Sequence, residues 1–212
     1  MVKMFIQMDE EKYSFEKLQE VNSFIDNVFK RVDGYKDKYG CYTNGRFETF
    51  GAAYCYLERI EGFLDNVKIA LWFKDDGHEG DFSWEDCLAK ELGKSLVLMR
   101  FRFCDEKLEY AGTTADEFLE KYTDFCETYD ISRPMECMYA ASGKNAVVLM
   151  EMMIEDMMRS EFFMYAVYDW YLYIDGKVEN LLTRALEWRK QEGISQKWPE
   201  LSKNKIFTIN SI

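Results

Sequence analysis

Hydrophobic positions along this chain alternate between helical and extended spacings. Residues 2–8, VKMFIQM, are short and partly alternating, which predicts a strand. From Ser14 onward, apolar residues recur at every third or fourth position, and Gly34 stands where a helix C-cap belongs. A second helix is predicted over 47–66. Residues 67–73 fit either a strand or a continuation of that helix, because periodicity alone does not separate the two.

The second half of the chain shows the same mixture. Residues 96–103, LVLMRFRF, are typical of a strand, and residues 107–111 are the predicted partner of that strand. Thr114 and Glu117 have the spacing of a capping box, which predicts a helix over 114–129. The other predicted elements are a short helix over 83–93, an irregular segment over 131–142, a long helix over 143–174, a helix over 178–191 and a strand over 205–209.

These elements predict a helix-rich α+β fold in a single domain over residues 1–212. Its small antiparallel sheet would be built from the N-terminus, the 96–111 region and the C-terminus. The composition is 48% hydrophobic and 17% aromatic with two prolines, so a packed core is expected rather than disorder. No internal repeat or low-complexity stretch is visible in the sequence.

The segment 147–174 combines methionines with aromatic residues and raises three interpretations: a membrane span, a core helix or a partner-binding surface. Its longest charge-free run covers residues 162–168, far short of the roughly 20 apolar residues that a span needs. Up to Ser160 the pattern is that of an amphipathic helix with one face on a core. Beyond it the polar face is lost, and Phe163 and Trp170 fit either the deep core or an interface with a partner.

The chain carries a formal net charge of −12, which argues against direct nucleic-acid binding through phosphate neutralisation. Residues 75–130 hold 16 acidic and 6 basic side chains, a balance of −10, whereas residues 177–212 hold 4 and 7, a balance of +3. The acidic surface is therefore expected around residues 75–130. Such a surface suits a partner with a cationic face.

Within that acidic region, the predicted helix 114–129 is sharply divided. Its apolar side chains share one face, and its carboxylates share the other. The candidate partner-binding carboxylates are Asp116, Glu117, Glu120, Asp124 and Glu127. One interpretation is a solvated face that supports solubility. The other is a row of negative charges that competes with nucleic-acid phosphates for a cationic groove. A step of four residues along the helix, about 6 Å, is roughly the same scale as the distance between phosphates.

Several kinds of site are excluded or disfavoured. The single histidine, His78, lies in a polar loop, so histidine-rich metal sites and hydrolytic triads are not expected, and neither GxSxG nor GxGxxG occurs. The ASGKNA segment lacks the glycine and the hydroxyl residue of a phosphate-binding loop. Six cysteines without a CxxC pair, and no signal-like N-terminus, predict reduced thiols in the cytosol. No cofactor or metal is expected.

We therefore expect a binding protein rather than an enzyme. The leading hypothesis is an acidic inhibitor that docks on a nucleic-acid-handling enzyme, the profile of a phage or mobile-element protein directed against a bacterial defence nuclease. One alternative is a Mg²⁺-dependent nucleotide hydrolase that uses Glu58, Glu61 and Asp65, with Glu151 and Glu155 as a second acidic pair. Another is a homo-oligomeric structural protein that buries the 162–173 aromatics at a two-fold interface.

Overall fold

A computed structural model describes residues 2–75, 82–83, 96–175 and 177–194. The chain divides into two compact units, Met1–Leu96 and Val97–Ile212. Each unit contains a five-stranded antiparallel sheet and its own hydrophobic core. The predicted α+β class with antiparallel pairing is confirmed, although the strands form two sheets rather than one. The single-domain organisation stays a prediction.

The first unit is built on a central antiparallel pair, β1 and β4, whose register runs from Val2 opposite Lys74 to Met8 opposite Val67. The strand order in its sheet is β2-β3-β1-β4-β5. The elements of the unit are β1 (Val2–Met8), α1 (Phe15–Lys30), β2 (Tyr35–Lys36), β3 (Tyr42–Gly45), α2 (Phe47–Glu58), α3 (Phe63–Asn66), β4 (Val67–Asp75) and β5 (Phe82–Ser83).

The second unit is built on the pair β6 and β9, in which Val97 lies opposite Ile174 and Phe103 opposite Val167. The strand order in its sheet is β7-β8-β6-β9-β10. The elements of the unit are β6 (Leu96–Phe103), α4 (Asp105–Ala111), α5 (Ala115–Leu119), a 3-10 turn (Glu120–Tyr122), α6 (Thr123–Thr128), β7 (Ser132–Met135), β8 (Met138–Ser142), α7 (Ala146–Arg159), α8 (Glu161–Ala166), β9 (Val167–Ile174), β10 (Lys177–Asn180) and α9 (Leu181–Gln191).

The two units share one connectivity. In each, a strand, a helical segment, a hairpin, a second helical segment and a strand follow one another, and the two outer strands of that series lie side by side in the sheet. This is the split-βαβ, ferredoxin-like arrangement with one added strand. Even the irregularities correspond: the register shifts between Gln7 and Met8 in one unit and between Arg102 and Phe103 in the other. The structure therefore repeats a motif that the sequence does not show as a repeat.

Several predicted elements are confirmed. Residues 2–8 and 96–103 are strands, and residues 67–75 are a strand rather than a continued helix. The helix that starts after Ser14 has the Ser14 hydroxyl accepting a hydrogen bond from the Lys17 backbone N–H at 3.3 Å. Its buried residues Ile25, Val28 and Phe29 belong to the predicted apolar set.

Other predictions are wrong for identifiable reasons. The segment 107–111 belongs to helix α4 instead of pairing with β6. The neighbours of β6 in the sheet are β8 and β9, and its pair with β9 joins residues as far apart in sequence as Phe103 and Val167. The irregular segment 131–142 is the hairpin β7–β8, in which Cys137 adopts a positive φ of 57° at the turn. The second helix ends at Glu58 instead of near 66.

The predicted long helix 143–174 is also wrong. It begins at Ala146, stops at Arg159, and gives way to the short helix α8 and then to strand β9. Ser160 has an extended ψ of 115°, and its hydroxyl accepts from the Phe163 N–H at 3.2 Å, so it ends one helix and caps the next. The chain then reverses between Ile174 and Lys177, which form the last pair of the β9–β10 hairpin.

The predicted strand 205–209 and His78 lie outside the described residues, as does nearly all of the predicted helix 83–93. Within the described ranges, no helix is long and apolar enough to cross a membrane.

Candidate functional site

The candidate carboxylates lie on the segment 115–128 of the second unit, which is less regular than predicted. Helix α5 ends at Leu119, a 3-10 turn covers Glu120–Tyr122, and helix α6 runs to Thr128. A 3-10 turn advances about 120° per residue instead of about 100°. The carboxylates before and after the turn therefore do not continue one straight row, which corrects the predicted stripe.

Glu117 has a structural task. Its carboxylate accepts from the Thr114 backbone N–H at 2.9 Å and from the Thr113 hydroxyl at 3.0 Å, while the Thr114 hydroxyl accepts from the Glu117 N–H at 3.2 Å. The predicted capping box is thus confirmed. The backbone hydrogen bond from Thr114, followed by that of Thr113, holds the pKa of Glu117 below its ordinary value. The carboxylate of Glu117 therefore caps the N-terminus of α5.

Asp116 is also engaged within the unit. The Arg133 guanidinium, on strand β7, donates to its carboxylate at 2.5 Å, and the Asp116 side chain is 45% exposed. Because this ion pair offsets the negative charge, Asp116 contributes little to the field that a partner would meet.

Glu120, Asp124 and Glu127 are exposed, as Glu117 is, but unlike that of Glu117 their carboxylates do not cap a helix. Among the residues that the structure describes, none has an ion pair or side-chain hydrogen bond with any of the three. Together they present three full negative charges over two helical turns. We call these three residues the acidic patch.

A fourth exposed carboxylate adjoins the acidic patch from another element. Asp156 of α7 accepts from the Tyr122 hydroxyl at 2.7 Å and from the Lys121 ammonium at 3.3 Å, and its side chain stays 60% exposed. Burial, and then the Asp156 charge, raises the pKa of the Tyr122 hydroxyl. Lys121, which follows Glu120 in the chain, is therefore directed to α7 rather than to the acidic patch.

Sequence reasoning missed Asp156 because it lies 35 residues from Lys121. The available signal was its place on the polar half of the helical wheel of α7.

Helix α7 lies between the 115–128 segment and α9. On one side Asp156 meets Tyr122 and Lys121. On the other, the Arg184 guanidinium of α9 binds both carboxylate oxygens of Glu151, and Arg159 lies over the Trp188 ring at 5.4 Å. Asp156 and Glu151 are thus paired with cationic side chains, whereas within the described residues the carboxylates of the acidic patch are not.

Phe163 and Trp170 lie in the core, and their predicted role as anchors for a partner is wrong. Both side chains are 0% exposed. The Phe163 ring packs edge-on against Trp170, Phe101 and Phe103, with ring centroids 4.7, 5.2 and 5.6 Å apart. The polar helix face disappears after Glu161 because the short helix α8 buries Phe163, Met164 and Ala166, and the chain then continues as strand β9. The same burial removes these two rings from the interface of the homo-oligomer alternative.

The geometry assumed for a magnesium site is absent from the first unit. Glu58 is the last residue of α2, Glu61 lies in the following turn, and Asp65 belongs to the separate helix α3. In the second unit, Glu151 is held by Arg184. Over the described ranges, no group of three or more His, Cys, Asp or Glu side chains is placed to hold a metal ion.

Comparison of the chain with protein-family models, with curated proteins and with solved structures finds no significant match.

Proposed function

We propose that this protein is an acidic binding protein that docks the acidic patch on a cationic surface of a partner protein. The observation that supports it is the exposure of Glu120, Asp124 and Glu127 without counter-charges in the described residues. Like charges this close on one segment cost stability, so a surface that keeps them is better suited to binding than to folding. Asp156 borders the patch but is paired with Lys121, so it adds little to this negative field.

A nucleic-acid-handling enzyme is the class of partner that fits this chemistry. Its phosphate-binding groove is cationic, and carboxylates spaced along a helical segment compete for the same side chains. The protein would then act as an inhibitor by occupying the groove. The net charge of −12 adds long-range attraction that raises the rate of encounter. We place this interaction in the cytosol, where the free thiols at Cys41, Cys55, Cys104, Cys126 and Cys137 stay reduced.

The test is a comparison of two triple charge reversals by affinity capture from host-cell lysate. Glu120→Lys, Asp124→Lys and Glu127→Lys together reverse the acidic patch. Glu16→Lys, Glu48→Lys and Glu61→Lys together change the net charge equally at exposed positions of the first unit. Because the six side chains are exposed, both variants are expected to keep the fold, which far-UV circular dichroism checks.

We expect the wild-type protein and the first-unit variant to recover one or more basic nucleic-acid enzymes, and the patch variant to lose them. An excess of a short DNA duplex should also reduce recovery, since duplex and protein would compete for one groove. Equal recovery with the patch variant and the wild type would overturn the proposal.

The variants avoid Asp116 and Glu117 on purpose. Replacing Asp116 would release Arg133, and replacing Glu117 by lysine would break the cap, so a loss of binding there would have a structural explanation. Glu117→Gln, which keeps an acceptor at the cap, should leave recovery unchanged.

A further inference from the structure

A cleft of about 350 Å³ opens between α7 and α9 on the outer face of the second unit. Glu155, Met158 and Arg159 of α7 form one wall, and Arg184, Glu187 and Trp188 of α9 form the other. None of these residues belongs to the acidic patch.

The charges in the cleft do not cancel. The charge of Arg184 is neutralised by carboxylates that do not line the cleft. Arg184 binds both carboxylate oxygens of Glu151 and has Glu179 at 3.6 Å. Glu155 and Glu187 are exposed, and no residue in the described ranges forms an ion pair or hydrogen bond with either carboxylate. Arg159 has no ion pair in the described ranges either, so the unpaired side chains of the cleft are two carboxylates and one guanidinium. Their balance is negative, and the cleft therefore favours a cation.

The aromatic wall shows which kind of cation the cleft can hold. The Arg159 guanidinium lies over the half-buried Trp188 ring at 5.4 Å from its centroid. Indole is the aromatic side chain that binds cations best, and guanidinium groups are the commonest protein cations found over aromatic rings. An internal side chain thus occupies a position that a guanidinium from outside could share or take.

An apolar rim adjoins the cleft. Val148 and Met152 share the outer face of α7 with Glu155 and Arg159, and they are 61% and 49% exposed. Met152 lies about 4.5 Å from Glu155 along the helix axis, and Val148 about 10 Å. A ligand that fills the cleft and covers this rim carries an apolar group next to its positive charge.

We propose that the α7–α9 cleft binds an arginine side chain of a protein partner, with its guanidinium between Glu155 and Glu187 and a neighbouring apolar residue on Met152. The cleft shares with the proposed function only the basic character of the partner. Because its residues differ from the acidic patch, each proposal can fail while the other stands.

The test follows the indole N–H signal of Trp188 by NMR in the whole 212-residue chain. The signal is assigned by its loss in Trp188→Phe. The probe is acetyl-Arg-Leu-amide, titrated to the millimolar range, with acetyl-Glu-Leu-amide as the charge-reversed control. We expect a saturable shift with the arginine probe and none with the glutamate probe.

Two variants with opposite expected effects make the test specific. Glu155→Gln with Glu187→Gln should weaken binding of the arginine probe roughly fivefold, the sum of two exposed ion pairs. Arg159→Gln removes the resident cation and should strengthen binding. Glu120→Gln with Asp124→Gln, in the acidic patch, should leave the affinity of the cleft for the arginine probe unchanged.

The proposal is overturned if the Trp188 signal does not move, if the glutamate probe moves it equally, or if Glu155→Gln with Glu187→Gln binds as the wild type does. Should the double variant fail to fold, as dispersion of the other indole signals would reveal, Glu187→Gln alone gives the same comparison with about half of the effect.

Discussion

At the scale of single residues, identical side chains serve a core and an interface, and only their surroundings separate the two roles. Phe163 and Trp170 are of the types enriched at protein interfaces. In this protein Phe163 packs against rings of β6 and against Trp170, and both side chains are fully buried. Helical periodicity could not reveal this, because residues 167–174 are not helical and the ring contacts come from strand β6, more than 60 positions away.

Replacement of Phe163 by alanine should lower the free energy of unfolding by about 3–5 kcal/mol, because it empties a fully buried aromatic site. Tyr168→Ala, on the same stretch but 53% exposed, should cost less than about 1 kcal/mol. Urea unfolding followed by circular dichroism measures both values. A small loss for Phe163→Ala would show that its side chain is not part of the packed core.

Buried and partly buried thiols predict a loss of stability at alkaline pH. Burial raises the pKa of Cys126 to about 11, and it also raises the pKa of Cys137 and Cys41. In the unfolded chain a thiol has a pKa of about 8.5. As pH rises from about 8.5 to 11, the unfolded state therefore loses protons that the folded state keeps, and the free energy of unfolding falls.

Urea midpoints at pH 7, 8.5 and 10 should show this fall, and Cys126→Ala should reduce its size. Cys55→Ala, at an exposed position, serves as the control and should leave the pH dependence as it is. An identical pH dependence for Cys126→Ala and the wild type would contradict the expectation.

At the scale of elements, local signals located helix starts well and helix ends poorly. The caps at Ser14 and Thr114 were readable because a capping hydrogen bond joins residues three apart. The change from α8 to β9 at Val167 was not readable, because its cause is pairing with β6, and strand pairing between distant segments leaves no trace in local spacing.

Replacement by alanine should change the free energy of unfolding in opposite directions at two glycines, Gly45 just before α2 and Gly51 within it. A Cβ on Gly45 would lie 2.0 Å from the Phe50 ring, which is fully buried, so Gly45→Ala should cost about 1–3 kcal/mol. A Cβ on Gly51, inside the helix, would meet only Trp72 at 3.7 Å, so Gly51→Ala should add about 0.5–1 kcal/mol. Thermal unfolding of the two variants and of the wild type measures both changes in stability. A destabilised Gly51→Ala would show that α2 has no room for a Cβ at this position.

At the scale of the whole molecule, one connectivity is used twice with different side chains. Met4 and Met99 occupy corresponding core positions on β1 and β6, yet Ala70 on β4 corresponds to Trp170 on β9 when the register shifts are aligned. Cores accept different hydrophobic residues when the volume is filled in another way. Such freedom is the reason that the repeat is visible in strand order and invisible in sequence.

The charge of the whole molecule predicts how ionic strength affects binding of a basic partner. Raising NaCl from 50 to 200 mM should lower the association rate constant by roughly tenfold, whereas the dissociation rate constant should change less than about twofold. Surface plasmon resonance with the captured partner measures both constants. An association rate independent of salt would mean that the acidic face does not guide the encounter.

The sequence by itself determined the amphipathic faces of α1 and α7, the strands 2–8 and 96–103, the capping box at Thr114, and the location of most of the negative charge. Each of these depends on residues close in the chain or on composition. Tertiary structure alone decided which carboxylates are free, because Arg133 reaches Asp116 and Lys121 reaches Asp156 across 17 and 35 positions. It also decided that the aromatic stretch is core and that two sheets form, since long-range strand pairing and burial depend on contacts that no local pattern encodes.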